Sequence, residues 1–245
     1  MAELAAYLVD AGFGTSTLHV MEALAGPRER VRAVRADGFA WDDVAHPVAV
    51  GIVMEGDGDV ITRASGIDDS WFEHDGQITK QPARALTLSA LAPRPGETLW
   101  DIGAGSGSVG IEWLLSHAAT HAVAFEADPV RAARVRANAV RLGADRLSVV
   151  EGRAPAILVG RERPNAIFIG GGLSEALLEA VVGLPGGETR LVANAVTLES
   201  EALLAQWHGR LGGELLRIEM ASAAPLGARR GWKAAYPLVQ WSVTL

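Results

Sequence analysis

The residues best placed to do chemistry lie in one run, Thr98-Leu-Trp-Asp-Ile-Gly-Ala-Gly-Ser-Gly-Ser-Val-Gly110. Leu99 to Ile102 is a short apolar run carrying an acid, Asp101, and reads as a buried strand. Gly103, Gly105 and Gly107 follow, after which Val109, Ile111, Leu114 and Leu115 take up helical spacing. Strand, glycine turn and helix together lay a cofactor over the carboxyl end of a sheet, against exposed backbone N–H groups. A side chain in that turn would hold the backbone away from the ligand.

Two cofactor classes compete for the loop. Gly105-Ser-Gly-Ser-Val-Gly110 matches the dinucleotide pattern G-x-G-x-x-G, which is a weak signal alone. Read one glycine earlier, Asp101-x-Gly-x-Gly-x-Gly107 is the form found in S-adenosylmethionine methyltransferases. The acid decides between them. A dinucleotide brings a pyrophosphate to this turn, and Asp101 would repel it. S-adenosylmethionine carries a sulfonium and an ammonium and no phosphate, so Asp101 costs it nothing. A purely structural glycine turn is the third reading.

Composition narrows the field. The 245 residues are 49% hydrophobic and 21% charged, which describes a globular chain able to bury a sizeable core. A net charge of −7 argues against an electrostatic grip on nucleic acid. With no cysteine there is no disulfide, thiolate metal site or cysteine nucleophile. The start, Met1-Ala-Glu-Leu-Ala-Ala-Tyr7, has no basic n-region. No run reaches the roughly 18 apolar residues of a membrane span. The expectation is a cytoplasmic chain with no membrane partner.

The elements that must position the loop follow from the rest of the chain. Residues 1–58 predict a small unit: a turn at Ala11 to Gly14, a helix over Thr15 to Leu24, a short strand over Val31 to Val34, and a buried strand over Val48 to Met54. Residues 59–76, polar and acidic, read as a linker. A methyltransferase domain is then expected over 77–245. A helix from about Pro82 to Leu91 precedes the glycine loop. Thr79, just before it, is either an N-terminal turn residue or part of a lid beside the cofactor.

Ala122 to Glu126 is a second buried strand ending in an acid. Asp128 and Pro129 suit the N-cap and first position of a helix to Leu142, which leaves Glu126 to accept from ribose hydroxyls. The strand from Leu147 ends at Gly152, and a backbone turn over Gly152, Arg153 and Ala154 suits an adenine edge. Asn165 to Gly172 is a fourth strand, and Gly171 and Gly172 form part of a floor for a bulky substrate. A fifth strand, Thr189 to Ala193, leads through Asn194 to a helix over Leu198 to Leu211. Glu214 to Met220 and Leu238 to Leu245 are two final strands joined by a loop. Five β–α units and a closing strand pair are how class I methyltransferases finish a seven-stranded sheet, whereas a dinucleotide fold would supply a second βαβαβ half.

Other chemistries find little support. Ala104 spoils a G-x-S-x-G elbow, and neither a phosphate-binding G-x-x-x-x-G-K-[ST] loop nor H-E-x-x-H occurs. His117 and His121, and the acids between Asp68 and Asp75, have irregular or unsupported spacing for a metal. Arg131, Arg134, Arg136 and Arg141 read as a solvated helix face. No nucleophile or general-base pair is evident, so no catalytic residue is assigned.

Ile78-Thr-Lys80, Asp101-Ile-Gly-Ala-Gly-Ser-Gly107, Glu151-Gly-Arg-Ala-Pro155, Ile167-Phe-Ile-Gly-Gly-Gly172 and Asn194-Ala-Val-Thr-Leu-Glu-Ser200, in that order, resemble the decarboxylating precorrin methyltransferases of cobalamin biosynthesis. The resemblance runs from about residue 70 to the end. Residues 12–54 are similar to the end of a tetrapyrrole methylase domain, so the chain looks like a C-terminal domain with a remnant of the preceding one. The fold implied is α/β: a class I S-adenosylmethionine methyltransferase, with a Rossmann-like seven-stranded sheet and a C-terminal antiparallel strand pair.

The activity implied is methylation of carbon-15 of a precorrin, with loss of CO2 from the carbon-12 acetate, by a homotetramer. The cofactor implied is S-adenosyl-L-methionine, leaving as S-adenosyl-L-homocysteine. The resemblance carries cofactor contacts to Thr79, Gly103, Ala104, Gly105, Ser106, Gly107, Glu126 and Ala154. A polycarboxylate substrate makes Lys80, Arg84, Arg229, Arg230 and Lys233 candidate clamps, with Asn194 beside them, although Arg229 to Lys233 reads equally as a solvated loop. Two departures from the family stand out: Gln81-Pro82 and Asn165 each replace a frequent acid. The competing functions are a class I methyltransferase acting on RNA or protein, and a nicotinamide-dependent oxidoreductase or nucleotide-binding module.

Overall fold

The computed structural model describes residues 1–245, which divide into two compact units, Met1–Ile61 and Thr62–Leu245. In the first unit, helix α1 (Ala2–Asp10) buries Ala5 and Leu8 against strand β1 (Thr17–Glu22) and its neighbours. Strands β2 (Arg30–Arg35) and β3 (Val48–Val53) pair antiparallel with the two edges of β1. The helix expected over Thr15 to Leu24 is therefore this central strand. Leu18, Val20 and Glu22 alternate inward, a period of two that the spacing of Leu18, Met21 and Leu24 concealed. β3 is an edge strand with Ile52 and Val53 exposed, where a buried strand was expected.

The second unit carries the sheet that the sequence implies. Helix α2 (Gln81–Leu91) leads to β4 (Thr98–Ile102), α3 (Ser108–Ser116), β5 (His121–Glu126), α4 (Pro129–Arg141), β6 (Ser148–Glu151), β7 (Ala166–Ile169), α5 (Glu175–Val182), β8 (Arg190–Ala195) and α6 (Leu198–Leu211). The chain ends in β9 (Glu214–Ile218), β10 (Ala221–Leu226), β11 (Arg229–Ala234) and β12 (Leu238–Thr244). Seven strands line up as β6-β5-β4-β7-β8-β12-β9. The first five are parallel, and β12 runs antiparallel between β8 and β9. Trp100, Ile167, Leu191 and Trp241 are among the buried residues that fill one face of this sheet.

Two segments are more ordered than expected. Ala221 to Pro237 holds a separate two-stranded ladder, β10 on β11, joined through Gly227-Ala228. Gly227 adopts φ +60°, and a two-residue turn opening on such a glycine was the available signal. The stretch read as a linker is tied down from Gly66 onward, with Ile67 and Phe72 buried. Gly66 and Ile67 donate their N–H groups to Glu112, at 2.7 and 3.0 Å. Asn138 accepts from the Glu73 N–H and donates to the Glu73 carbonyl. Three of the four arginines of α4 belong to the same stitching. Arg131 and Arg134 pair with Asp75, Arg141 donates to the Trp71 carbonyl, and Arg136 pairs with Glu151.

Candidate functional site

The carboxyl ends of β4 to β8 open into one cavity of about 710 Å³. Its wall takes Gly103, Ala104 and Gly105 from the turn after β4, Glu126 from the end of β5, and Gly152, Arg153 and Ala154 from the turn after β6. Gly171 and Gly172 after β7, Asn194 in β8, and Thr79 and Lys80 before α2 close it. These twelve residues, scattered through the sequence, share one cavity.

The glycine turn is held by backbone contact. Gly103 has φ +71°, and a Cβ on it would lie 2.6–2.7 Å from the Gly171 backbone. The two glycine-rich turns thus pack directly on one another, so the glycines after β7 serve the first loop as well as any substrate. Glu126 fixes the loop from the other side. Its carboxylate accepts from the Gly105 N–H at 2.8 Å and the Asp128 N–H at 3.0 Å. Asp128 caps α4 as expected, accepting from Val130 and Arg131. Glu126 is only partly free, yet each oxygen keeps a further acceptor site for a hydroxyl.

Asp101 is the electrostatic centre of the turn. It is fully buried beneath the loop, and its Oδ2 accepts from the Gly110 N–H at 2.9 Å. A Cβ on Gly110 would come within 3.0 Å of that oxygen, so the last glycine of the G-x-G-x-x-G reading admits Asp101 to the first turn of α3. Oδ1 has no partner. Burial pushes the carboxyl up to about 7; the Gly110 hydrogen bond opposes this, and the neighbouring Glu126 charge adds to it. The positive end of α3, where a pyrophosphate would bind, is thereby already faced by an acid. The donor set favours a cationic cofactor.

Other expected positions lie off the cavity. Ser106 is buried with its hydroxyl unpartnered, its carbonyl accepting from Asn138. Gly107 is the N-cap of α3 and faces Val135. Arg84 is wholly buried, not poised as a substrate clamp. It donates to Glu112 at 2.5 Å, to Asp69 at 3.0 Å, and to the carbonyls of Thr79 and Ile67. Arg229, Arg230 and Lys233 lie on the exposed strand β11, away from the cavity wall. The hairpin reaches the cavity only through its base, at Met220, Ala235 and Tyr236.

The cations that do line the wall are Lys80, Arg131 and Arg153. Lys80 approaches Asp69 at 3.5 Å and Arg131 is paired with Asp75, while Arg153 is exposed to solvent. Asp75 is held well below the usual carboxylate range by the Gln77 N–H, Arg134 and Arg131. No local pattern marks Arg131 as facing the site, because its partner lies 56 residues away. Asn165 is anchored to the start of β4, its Oδ1 accepting from the Thr98 N–H at 2.9 Å.

Residues 70–245 match the family model for the precorrin methyltransferase domain. The chain belongs to this family. It is 51% identical to the precorrin-6Y C(5,15)-methyltransferase [decarboxylating] of Sinorhizobium sp, over 99% of this chain and 59% of that protein. It is 46% identical to the Mycobacterium tuberculosis (strain ATCC 25618 / H37Rv) protein of the same name, over 98% of this chain and 61% of that one. The chain spans about three fifths of the length of these curated relatives. The crystal structure of the C-terminal domain of precorrin-6Y C5,15-methyltransferase from Rhodobacter capsulatus superposes with a TM-score of 0.71 at 51% identity, covering 76% of this chain and all of that one. The fold of this precorrin methyltransferase domain is that of the class I S-adenosylmethionine methyltransferases.

Proposed function

We propose that the chain transfers a methyl group from S-adenosylmethionine to carbon-15 of a precorrin, with loss of the carbon-12 acetate carboxyl as CO2. The observation that carries the cofactor half is the buried Asp101 on the first turn of α3, which disfavours a phosphate there. The acceptor half rests on the relatives, whose names give carbons 5 and 15 and decarboxylation. Carbon-5 methylation is assigned to the part of those proteins that this chain does not match. Homotetrameric assembly, which rests on the family resemblance, and a cytoplasmic location belong to the same proposal.

S-adenosylmethionine, when bound, supplies an electrophilic methyl group. The chain's own task is then positioning. Glu126 would take the ribose hydroxyls, and the Gly152–Ala154 turn the adenine edge, on the β5/β6 side of the cavity. The glycine floor and Asn194, at β7 and β8, leave the opposite side to the acceptor. An enamine-like tetrapyrrole carbon is nucleophilic enough to need alignment more than a strong base, in keeping with a wall that holds no nucleophile–base pair. Lys80 offers charge-assisted hydrogen bonds to the macrocycle's carboxylates.

Calorimetric titration with S-adenosylhomocysteine and, in parallel, NADH tests the cofactor. Binding of S-adenosylhomocysteine alone, in the micromolar range and weakened by Glu126→Ala, is the expected outcome. Binding of NADH instead overturns the reading. Incubation with S-adenosylmethionine and a precorrin, followed by mass and CO2 release, tests the acceptor.

A further inference from the structure

Asn194 reaches the cavity from within a buried polar triad whose other members no sequence motif pointed to. It sits directly across the β8–β12 ladder from Gln240, so both side chains share one face of the sheet, under α2. There Thr87, fully buried, donates its hydroxyl to the Ala83 carbonyl at 2.9 Å. The same hydroxyl accepts from Asn194 Nδ2 at 2.9 Å and from Gln240 Nε2 at 3.0 Å. Gln240 Nε2 also donates to Asn194 Oδ1 at 3.0 Å.

Counting donors and acceptors shows what this arrangement leaves over. Thr87 has one hydroxyl hydrogen and two lone pairs, and all three are used. Both Nε2 hydrogens of Gln240 are used. Asn194 keeps one Nδ2 hydrogen and one Oδ1 lone pair. A 180° flip of its amide would set Nδ2 against the Gln240 donor and Oδ1 against a Thr87 hydroxyl already committed to Ala83. Both contacts would then be repulsive or empty. The triad therefore permits one orientation of the amide, and Asn194 lines the cavity on its β8 side, away from Glu126.

We propose that Gln240 and Thr87 are positioning residues for the methyl acceptor, acting through Asn194, whose remaining amide N–H donates to a carboxylate oxygen of the macrocycle. This rests on the proposed function above. A pre-oriented amide adds affinity because its ordering is paid during folding and not on binding.

The test compares Gln240→Met, Thr87→Val and Thr87→Ser, each assayed for precorrin-dependent CO2 release and for S-adenosylhomocysteine affinity. Gln240→Met removes both donors at similar length, and Thr87→Val removes the hydroxyl at constant shape. Each is expected to raise KM for the precorrin roughly ten-fold, the worth of one hydrogen bond to a charged group. Thr87→Ser, which keeps the hydroxyl, should stay near wild type, and S-adenosylhomocysteine affinity should not move in any variant. Gln240→Met should add nothing in an Asn194→Ala background, since both act on one contact. Lower thermal stability with unchanged KM makes the triad merely structural and overturns the inference. A parallel loss of S-adenosylhomocysteine affinity overturns it too, because Asn194 would then serve the cofactor. Absence of turnover by the wild-type protein overturns the proposed function itself, which is a different result.

Discussion

Two acids of this chain are equally hidden and opposite in character. Glu22, in the first unit, is fully buried, and its carboxylate accepts four hydrogen bonds: two from Arg30, one from Arg32 and one from the Ala45 N–H. Those partners, Arg30 foremost, pull it down to about 2 against the cost of burial. Asp101, in the second unit, has a single hydrogen bond and an orphaned oxygen, and burial pushes it up to about 7. Burial alone does not tell a structural acid from a functional one; the accounting of its partners does. Glu22 is saturated and fixes a sheet. Asp101 keeps electrostatic capacity beneath the glycine turn.

Glu112 tests the saturated class within the second unit. It holds Arg84, Gly66 and Ile67 together, and Arg84 in turn holds the Thr79 carbonyl at the cavity lip. Arg84→Met strands a buried carboxylate and is expected to cost about 3–5 kcal/mol. That lowers Tm by roughly ten degrees in a calorimetric scan, given the size of the unit. Adding Glu112→Leu should recover only part of the loss, because the Gly66 and Ile67 N–H groups would then lack an acceptor. Full recovery would place Glu112 with the dispensable pairs and blur the contrast.

Asp101→Asn tests the unsaturated class. The folded protein binds an extra proton between the ordinary aspartate range, near 3.8, and about 7. Stability is therefore lost as pH rises through that window and is level above it. Over that window the loss is at most about 4 kcal/mol. The amide variant should abolish this slope while keeping the Gly110 contact through its carbonyl oxygen. Urea unfolding without cofactor from pH 4 to 8 measures it, and an unchanged slope in the variant would assign the pH dependence elsewhere.

The same distinction explains what the sequence made legible. The β4 strand, the glycine turn and α3, the Asp128 cap, and the acid ending β5 depend on neighbours a few residues away, and each lies where its local pattern puts it. Glu126, Gly152 and Asn194 could be placed at strand ends, and a parallel sheet brings strand ends together. What failed to show depends on distant partners. Arg84 reads as a candidate clamp for a substrate carboxylate until Glu112, 28 residues on, is seen to neutralise it. The Gln240–Thr87 contact spans 153 residues and has no local signature. β1 failed for another reason: its short apolar pattern satisfied both periods, and pairing with β2 and β3 settled it.

The smallest effect is expected at Glu22. Glu22→Gln removes a charge from between two arginines, but both keep Asp43 as a partner, and neither is fully buried. Stranding them costs less than stranding Glu112, because solvent reaches Arg30 and Arg32. The pH signature is the mirror image of that of Asp101. A depressed carboxyl contributes stability that is complete above the ordinary glutamate range, near 4.5, and is lost as pH falls toward about 2. Amide hydrogen exchange along the β1–β2 and β1–β3 ladders reads this locally. In the wild type, protection should fall across that acid window. In Glu22→Gln it should start lower at neutral pH and change little there, while the β4–β7 ladder is unaffected by the substitution. If protection in β1 instead keeps its full acid dependence, then Asp43, itself held below its ordinary value by the same two arginines, carries the charge that matters. Glu22 would then be a buried acceptor whose charge is incidental.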